Sequence, residues 1–139
     1  MLSFIKVNTM IKKVTAGLII NNNKLLIAQR KKGKSCELLW EFPGGKLEEG
    51  ETLENCLSRE LKEELNIEIK IGEFFMSSLY NYDFGSIELN AFWAKTEACN
   101  LSYHPDHEQV LWVDICDIDR YEFAPADKPI VEALKKQLH

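Results

Sequence analysis

Apolar and polar residues are arranged along the chain in a way that predicts strands on both sides of one central helix. Two aliphatic runs, residues 14–21 and 24–29, flank the pair Asn22-Asn23, which is a strong signal for a β-hairpin. A polar loop follows at residues 31–37. Further apolar runs predict the remaining strands, which are residues 39–42, 68–80, 86–95 and 110–113.

The C-terminal segment, about residues 129–138, predicts an amphipathic helix. Its inner face carries Ile130, Val131, Leu134 and Leu138. The mixed order of strands and helices favours a sheet that helices cover on two faces, which is an α/β fold. A length of 139 residues suits one domain, and we expect residues 1–139 to form it. Met10 is an alternative start, because the first strand follows it directly.

Residues 53–65 predict the central helix, with Thr52 as its N-cap. Leucine at every fourth position of this segment forms an apolar stripe, since successive residues turn by about 100° around a helix. Glu60 and Glu64 fall beside the stripe and point towards the apolar side, and Glu63 flanks them.

Carboxylates beside an apolar core are costly unless something neutralises them, and neighbouring carboxylates repel one another. A bound divalent cation solves this problem, and Mg²⁺ prefers a few carboxylates together with substrate phosphates. The simpler interpretation is that a Glu-rich helix has one solvated face, which is the commoner meaning of such a segment. The residues around the helix favour the metal site.

The order of residues from Gly45 to Ile67 resembles the sequence motif of the Nudix family, G-x5-E-x7-R-E-U-x-E-E-x-G-U, in which U is a bulky aliphatic residue. The matching positions are Gly45, Glu51, Arg59, Glu60, Leu61, Glu63, Glu64 and Ile67. The one departure is Asn66 at a glycine position, and Asn tolerates the left-handed turn that ends a helix. The resemblance extends to residues 28–30, 39–46 and 123–129, and it implies an α/β/α sandwich with a mixed sheet between helices.

The resemblance also implies a metal and catalytic site on the central helix and the turn before it. The implied metal ligands are the Gly44 carbonyl, Glu60, Glu63, Glu64 and Glu108. Catalysis would fall to Glu60, Glu63 and Glu64, with either Glu60 or Glu63 as the base towards water. Glu51 and Arg59 would form a buried pair that holds the loop against the helix. The implied cofactor is Mg²⁺, with Mn²⁺ as a substitute.

The implied substrate-binding residues are Arg30, Phe42, Gly44, Gly45, Lys46, Tyr82 and Asp127. Arg30 ends a strand where it would reach a triphosphate, although a strand-end arginine is more often only solvated. Phe42 and Tyr82 would either line a pocket or pack in the core or at its rim. Asp127 would either cap the C-terminal helix or hydrogen-bond to the base, as in MutT-like members of the family.

Composition limits the function further. The net charge of −5 argues against binding to a nucleic-acid polymer, which needs a basic surface. No apolar run approaches the roughly 20 residues that cross a membrane. The four cysteines show no C-x-x-C spacing, so we expect neither zinc nor disulfides, and a reduced, cytoplasmic protein. His104 and His107 have H-x-x-H spacing on a loop, and we interpret them as surface histidines.

We therefore expect a Mg²⁺-dependent nucleoside triphosphate pyrophosphohydrolase that releases a monophosphate and pyrophosphate and sanitises the nucleotide pool. The resemblance fits 8-oxo-dGTP and CTP or dCTP as substrates, and H-E-x-x-x-W followed by A-P-A-D leans slightly to CTP. One alternative is hydrolysis of another nucleoside diphosphate-linked substrate. A second is a non-catalytic nucleotide-binding module. Such modules usually lose carboxylates of the motif, and the presence of all of them here argues against this alternative. Monomer and homodimer both stay open.

Overall fold

The structure is a computed structural model that describes residues 11–98 and 100–137. Met10, Cys99 and Leu138 therefore lie outside the described residues. The strands are β1 (Ile11–Asn21), β2 (Lys24–Arg30), β3 (Trp40–Glu41), β4 (Lys70–Tyr82), β5 (Gly85–Lys95) and β6 (His107–Val113). The helices are α1 (Leu53–Leu65), a 3₁₀ helix (Ile115–Arg120) and α2 (Lys128–Gln137).

All six strands belong to one mixed sheet. Its order is β3-β2-β1-β5-β4, and β6 pairs with β2. The long pairing of β1 with β5 is parallel, whereas β2 runs antiparallel to β1, β3 and β6. The predicted hairpin between β1 and β2 is confirmed, because Asn22 and Asn23 both have positive φ angles, of 52° and 63°. Such angles are those of a tight turn that matches the twist of the two strands.

Local signals at both ends fix α1. The Thr52 hydroxyl accepts a hydrogen bond from the Asn55 amide at 3.1 Å and so caps the first turn. At the other end Asn66 adopts the left-handed conformation, with φ of 53°, and its amide donates to the Leu61 and Lys62 carbonyls. The predicted bounds and both caps of this helix are confirmed.

Helices cover both faces of the sheet. Successive residues of a strand point to opposite faces, and Leu18 and Ile19 of β1 accordingly join different hydrophobic clusters. The cluster of Leu18 includes the buried face of α2, and the cluster of Ile19 includes the buried leucines of α1. The expected α/β/α sandwich is therefore confirmed. In the described part of the chain, neither helix is long and apolar enough for a membrane crossing.

Two predictions about the region after β5 need correction. Strand β6 begins at His107 and not at residue 110, so Glu108 lies in the strand and not in the preceding loop. His107 is not a surface residue, because only 5% of it is exposed. In addition, the 3₁₀ helix Ile115–Arg120 was not predicted, since half of its six residues are charged and it buries only Ile118.

Candidate active site

The glycine turn after β3 is docked directly on β1. The Gly45 carbonyl accepts hydrogen bonds from the amide and hydroxyl of Thr15, at 2.8 and 3.2 Å. A Cβ at Gly44 would overlap the Thr15 carbonyl oxygen, which is a backbone atom that cannot move aside alone. Both glycines are therefore required by close approach, the first to a strand and the second to a side chain of α1.

That side chain is Glu60 of α1. A Cβ at Gly45 would overlap the Glu60 carboxylate, so the carboxylate lies against the turn. Only 14% of the Glu60 side chain is exposed. Burial raises the pKa of Glu60, and the neighbouring Glu63 adds to the rise, although Arg59 opposes it. The helix thus presents a carboxylate to the turn in surroundings that disfavour its charge.

Arg59 of α1 contacts four carboxylates, two in the loop before the helix and two on the helix itself. Its Nε and one Nη donate to the two oxygens of Glu51, at 2.6 and 2.9 Å, while the other Nη contacts Glu60 and Glu63, each at 3.1 Å. Glu48 lies 3.4 Å from Nε. The hydrogen bonds from Arg59 lower the pKa of Glu51 to about 2. The side chains of Arg59 and Glu51 are 25% and 18% exposed, so this pair is partly rather than fully buried.

Glu64 is a carboxylate of α1 with one buried oxygen, Oε2, that lacks a hydrogen-bond partner in the described residues. Burial raises the pKa of Glu64 to about 9, and the negative charges of Glu60, Glu41 and Asp106 contribute. A buried carboxylate without a partner is unfavourable unless a cation or a proton joins it.

These residues fit a hard divalent cation. Glu60 and Glu64 offer carboxylate oxygens, and in the described ranges no hydrogen bond reaches the Gly44 carbonyl, which keeps its lone pairs free. Such an all-oxygen set is what Mg²⁺ prefers, with substrate phosphates and water completing its shell. No three acidic, histidine or cysteine side chains already converge on one metal position among residues 11–98 and 100–137. Substrate oxygens would therefore have to contribute ligands.

The predicted ligands Glu63 and Glu108 lie further out. The side chain of Glu63 is 59% exposed and contacts Arg59, and Glu108 is an exposed residue of β6. The acidic neighbour that acts on Glu64 from this region is Asp106, which sequence reasoning missed. Its position in the segment H-P-D-H-E, two residues before Glu108, was the available signal.

A cavity of about 250 Å³ lies at one side of the motif. It brings together three of the predicted substrate-binding residues, Arg30, Tyr82 and Asp127, with Glu41 and Phe84, which were not predicted. The other predicted residues lie elsewhere. Phe42 is buried and packs on Phe123 with ring centroids 5.1 Å apart, so core packing describes it, and Lys46 is exposed while its carbonyl accepts from Arg59 at 3.2 Å.

Asp127 lies at the inner end of this cavity. It is 5% exposed, and its Oδ2 accepts a hydrogen bond from the Phe42 amide at 3.0 Å. Its backbone carbonyl accepts from the Ile130 and Val131 amides at the start of α2. Burial raises the pKa of Asp127 well above its usual range, and the charge of Glu41 adds to the rise. The hydrogen bond from the Phe42 amide opposes this rise.

Glu41 is the central residue that the sequence did not reveal. Its two oxygens contact Arg30 at 2.9 Å and His107 at 3.2 Å. Burial alone would raise the pKa of Glu41, but the hydrogen bonds from His107 and Arg30 outweigh burial and lower it. Arg30 is held further by Ser35, whose carbonyl accepts from Nε at 2.6 Å. The available signal was a charged residue inside the apolar segment of residues 39–42.

Comparisons with known proteins identify the family of this chain. The family profile described as "NUDIX domain" matches residues 11–134. The chain therefore belongs to the Nudix family of hydrolases.

Two curated relatives and one solved structure are similar to most of the chain. The CTP pyrophosphohydrolase of Escherichia coli (strain K12) is 36% identical over 121 residues, which are 87% of this chain and 89% of the relative. The 8-oxo-dGTP diphosphatase of Buchnera aphidicola subsp. Schizaphis graminum is 33% identical over 125 residues, 90% of this chain and 94% of that one. The solution structure of the E. coli ORF135 protein has a TM-score of 0.77 and 34% identity, and covers 93% of this chain and 92% of its own.

Proposed function

We propose that this protein hydrolyses a nucleoside triphosphate to the monophosphate and pyrophosphate with the help of a divalent cation, Mg²⁺ or Mn²⁺. The observation that carries the proposal is the pair Glu60 and Glu64. Burial raises the pKa of both carboxyl groups, and Glu64 has a buried oxygen without a partner. A cation and the phosphates that it binds would relieve both unfavourable features together.

The residues would divide the work as follows. Glu64, Glu60 and the Gly44 carbonyl would hold the cation, joined by Glu63 and Glu108 when substrate is bound. The cation would stabilise charge on the attacking and leaving oxygens. Glu60 or Glu63 would take the proton of the attacking water, and the contacts of Arg59 with both keep them in place.

The cavity beside the motif would hold the nucleoside. Arg30 keeps donors that its contacts with Ser35 and Glu41 do not use, and these would reach the phosphates. Asp127 would hydrogen-bond to an edge of the base. Two relatives of similar identity act, by their names, on CTP and on 8-oxo-dGTP. We include both in the substrate class and keep a cytoplasmic site of action as a prediction.

The test is a panel of substrates with detection of released pyrophosphate, containing 8-oxo-dGTP, dGTP, CTP, dCTP and a dinucleoside polyphosphate. The proposal expects turnover of at least one triphosphate, dependent on Mg²⁺ or Mn²⁺ and faster at alkaline pH. Glu64→Gln should remove most activity, whereas Glu54→Gln, at an exposed position of the same helix, should retain it. Full turnover in excess chelator contradicts the proposal, and binding without turnover would indicate a non-catalytic module.

A further inference from the structure

Phe84 lies in the turn between β4 and β5, and its side chain is held in a defined orientation although it is exposed. The residue is 51% exposed. Its ring stacks on that of Tyr82, with centroids 4.9 Å apart and an interplanar angle of 9°. Both rings line the 250 Å³ cavity. One exposed aromatic ring needs no explanation, but a parallel stack at the mouth of a cavity provides a flat wall.

The position of Tyr82 is fixed from two sides. Its hydroxyl oxygen accepts a hydrogen bond from the Ala126 amide at 2.9 Å, next to Asp127. Its ring also contacts Tyr80, with centroids 4.6 Å apart. Tyr80 and Tyr82 share a face of β4 by the alternation of the strand. Phe84 lies beyond the end of β4, so its stacking is not a consequence of that alternation.

The two ends of the cavity differ in chemistry. Asp127 is 5% exposed and so marks the buried, polar end, together with Glu41 and Arg30. Phe84, ten times more exposed, marks the open and aromatic end. A ligand that suits both ends has a planar face for stacking and an edge with hydrogen-bonding groups, which describes a nucleobase.

We propose that Phe84 is a specificity-determining residue, whose ring extends the Tyr82 stack over the face of the bound nucleobase. This inference rests on the proposed hydrolysis of nucleoside triphosphates. Stacking binds substrate and transition state equally, so its loss raises KM and leaves kcat unchanged. It acts on the base alone and therefore has no effect on a substrate that lacks one.

The experiment compares the best nucleoside triphosphate of the panel with ribose 5-triphosphate, which has the sugar and phosphates without the base. For Phe84→Ala we expect KM for the nucleotide to rise about 3- to 30-fold, with kcat within about twofold. KM for ribose 5-triphosphate should not change. Phe84→Tyr keeps the ring and should restore the KM of the wild type.

Phe74→Ala is the matched control. Phe74 is 52% exposed and lies on β4, where it packs edge-on against Phe92 outside the cavity. The KM of the Phe74→Ala variant for the nucleotide should equal that of the wild type. Melting temperatures identify any variant that loses its fold. The inference is overturned if the KM for the nucleotide is unchanged in Phe84→Ala. It is also overturned if the KM for ribose 5-triphosphate rises equally in that variant, or if the KM for the nucleotide rises equally in Phe74→Ala. Absence of wild-type turnover on every nucleotide removes the proposed function itself, and the inference with it.

Discussion

The Arg59 guanidinium and the Glu51 carboxylate meet through two hydrogen bonds, from Nε to Oε2 at 2.6 Å and from Nη2 to Oε1 at 2.9 Å. This two-point contact fixes the plane of the guanidinium. The remaining Nη then reaches Glu60 and Glu63 together. One arginine thus ties the loop to α1 and also orients two carboxylates of the proposed catalytic set.

Replacement of Glu51 by Gln should therefore lower stability most at neutral pH, and progressively less as the pH falls from 4.5 towards 2. Arg59 lowers the pKa of Glu51 to about 2, from 4.5 for an ordinary glutamate. A lowered pKa means that the carboxylate stabilises the fold above pH 4.5 and that this contribution is lost as the pH falls towards 2. Urea unfolding of wild type and Glu51→Gln at pH 7, 4.5 and 3 measures it, with Glu54→Gln as the control. The difference in unfolding free energy between wild type and Glu51→Gln should shrink as the pH falls. A difference that stays constant would contradict the assignment.

Alanine substitutions at Gly45 and Gly44 should have different effects, the first on the rate of the reaction and the second on stability. Gly45→Ala pushes against the carboxylate of Glu60, which is the free end of a flexible side chain and can move. The fold should survive while kcat falls at least tenfold, because a displacement of about 1 Å at a catalytic group costs roughly that much or more. Gly44→Ala meets the backbone of Thr15 and should lower the melting temperature instead.

Circular dichroism, melting temperature and kcat for the two variants form the measurement. The assignment predicts a folded and nearly inactive Gly45→Ala protein beside a destabilised Gly44→Ala protein. Full activity in Gly45→Ala would show that the position of Glu60 against the turn is unimportant for the reaction.

The parts of the fold that local chemistry determines were predictable from the sequence. The bounds of α1 follow from Thr52 and Asn66, whose capping roles depend on residues within one turn. The Asn22-Asn23 hairpin is equally local. The pairing of Arg59 with Glu51 was implied by the family resemblance, since eight residues of sequence do not reveal which side chains meet across a loop.

Contacts between distant strands were not predictable. His107 and Glu41 are 66 residues apart, and they meet because β6 and β3 both pair with β2. The register shift between Gln29 and Arg30 decides which residue of β6 lies opposite Arg30. No local pattern contains that shift, so the sequence suggested a surface histidine where the structure has a buried one.

Substitutions at Asp127 should distinguish a structural role, through its contacts with Phe42 and α2, from recognition of the base. Asp127→Asn keeps an acceptor for the Phe42 amide and should cost little stability. Asp127→Ala leaves that buried amide unpaired and should lower the unfolding free energy by about 1–3 kcal/mol. If Asp127 contacts the base, Asn should also change the ratio of kcat/KM for 8-oxo-dGTP to that for CTP, because an amide and a carboxyl group present different sets of donors and acceptors.

The measurement is kcat/KM for 8-oxo-dGTP and for CTP in wild type and the Asp127 variants, together with their melting temperatures. A changed ratio at nearly constant stability supports base recognition. An unchanged ratio would leave Asp127 only its structural contacts with Phe42 and α2.

The fold holds Glu64 where its charged form needs a cation. The pKa of Glu64 is raised to about 9, so in the metal-free fold the group is largely protonated below that pH, and the cost of keeping it protonated rises as the pH rises from 4.5 towards 9. Gln at this position is neutral at every pH and avoids that cost. It should therefore make the metal-free protein more stable at pH 8 while it removes most activity.

The most direct measurement is the melting temperature at pH 8 in chelator and in increasing Mg²⁺, for wild type, Glu64→Gln and the control Glu54→Gln. Wild type and Glu54→Gln should gain several degrees with Mg²⁺. Glu64→Gln should start higher in chelator and gain nothing. If Glu64→Gln melts below wild type in chelator, or responds to Mg²⁺ as wild type does, Glu64 is not the carboxylate that needs the cation.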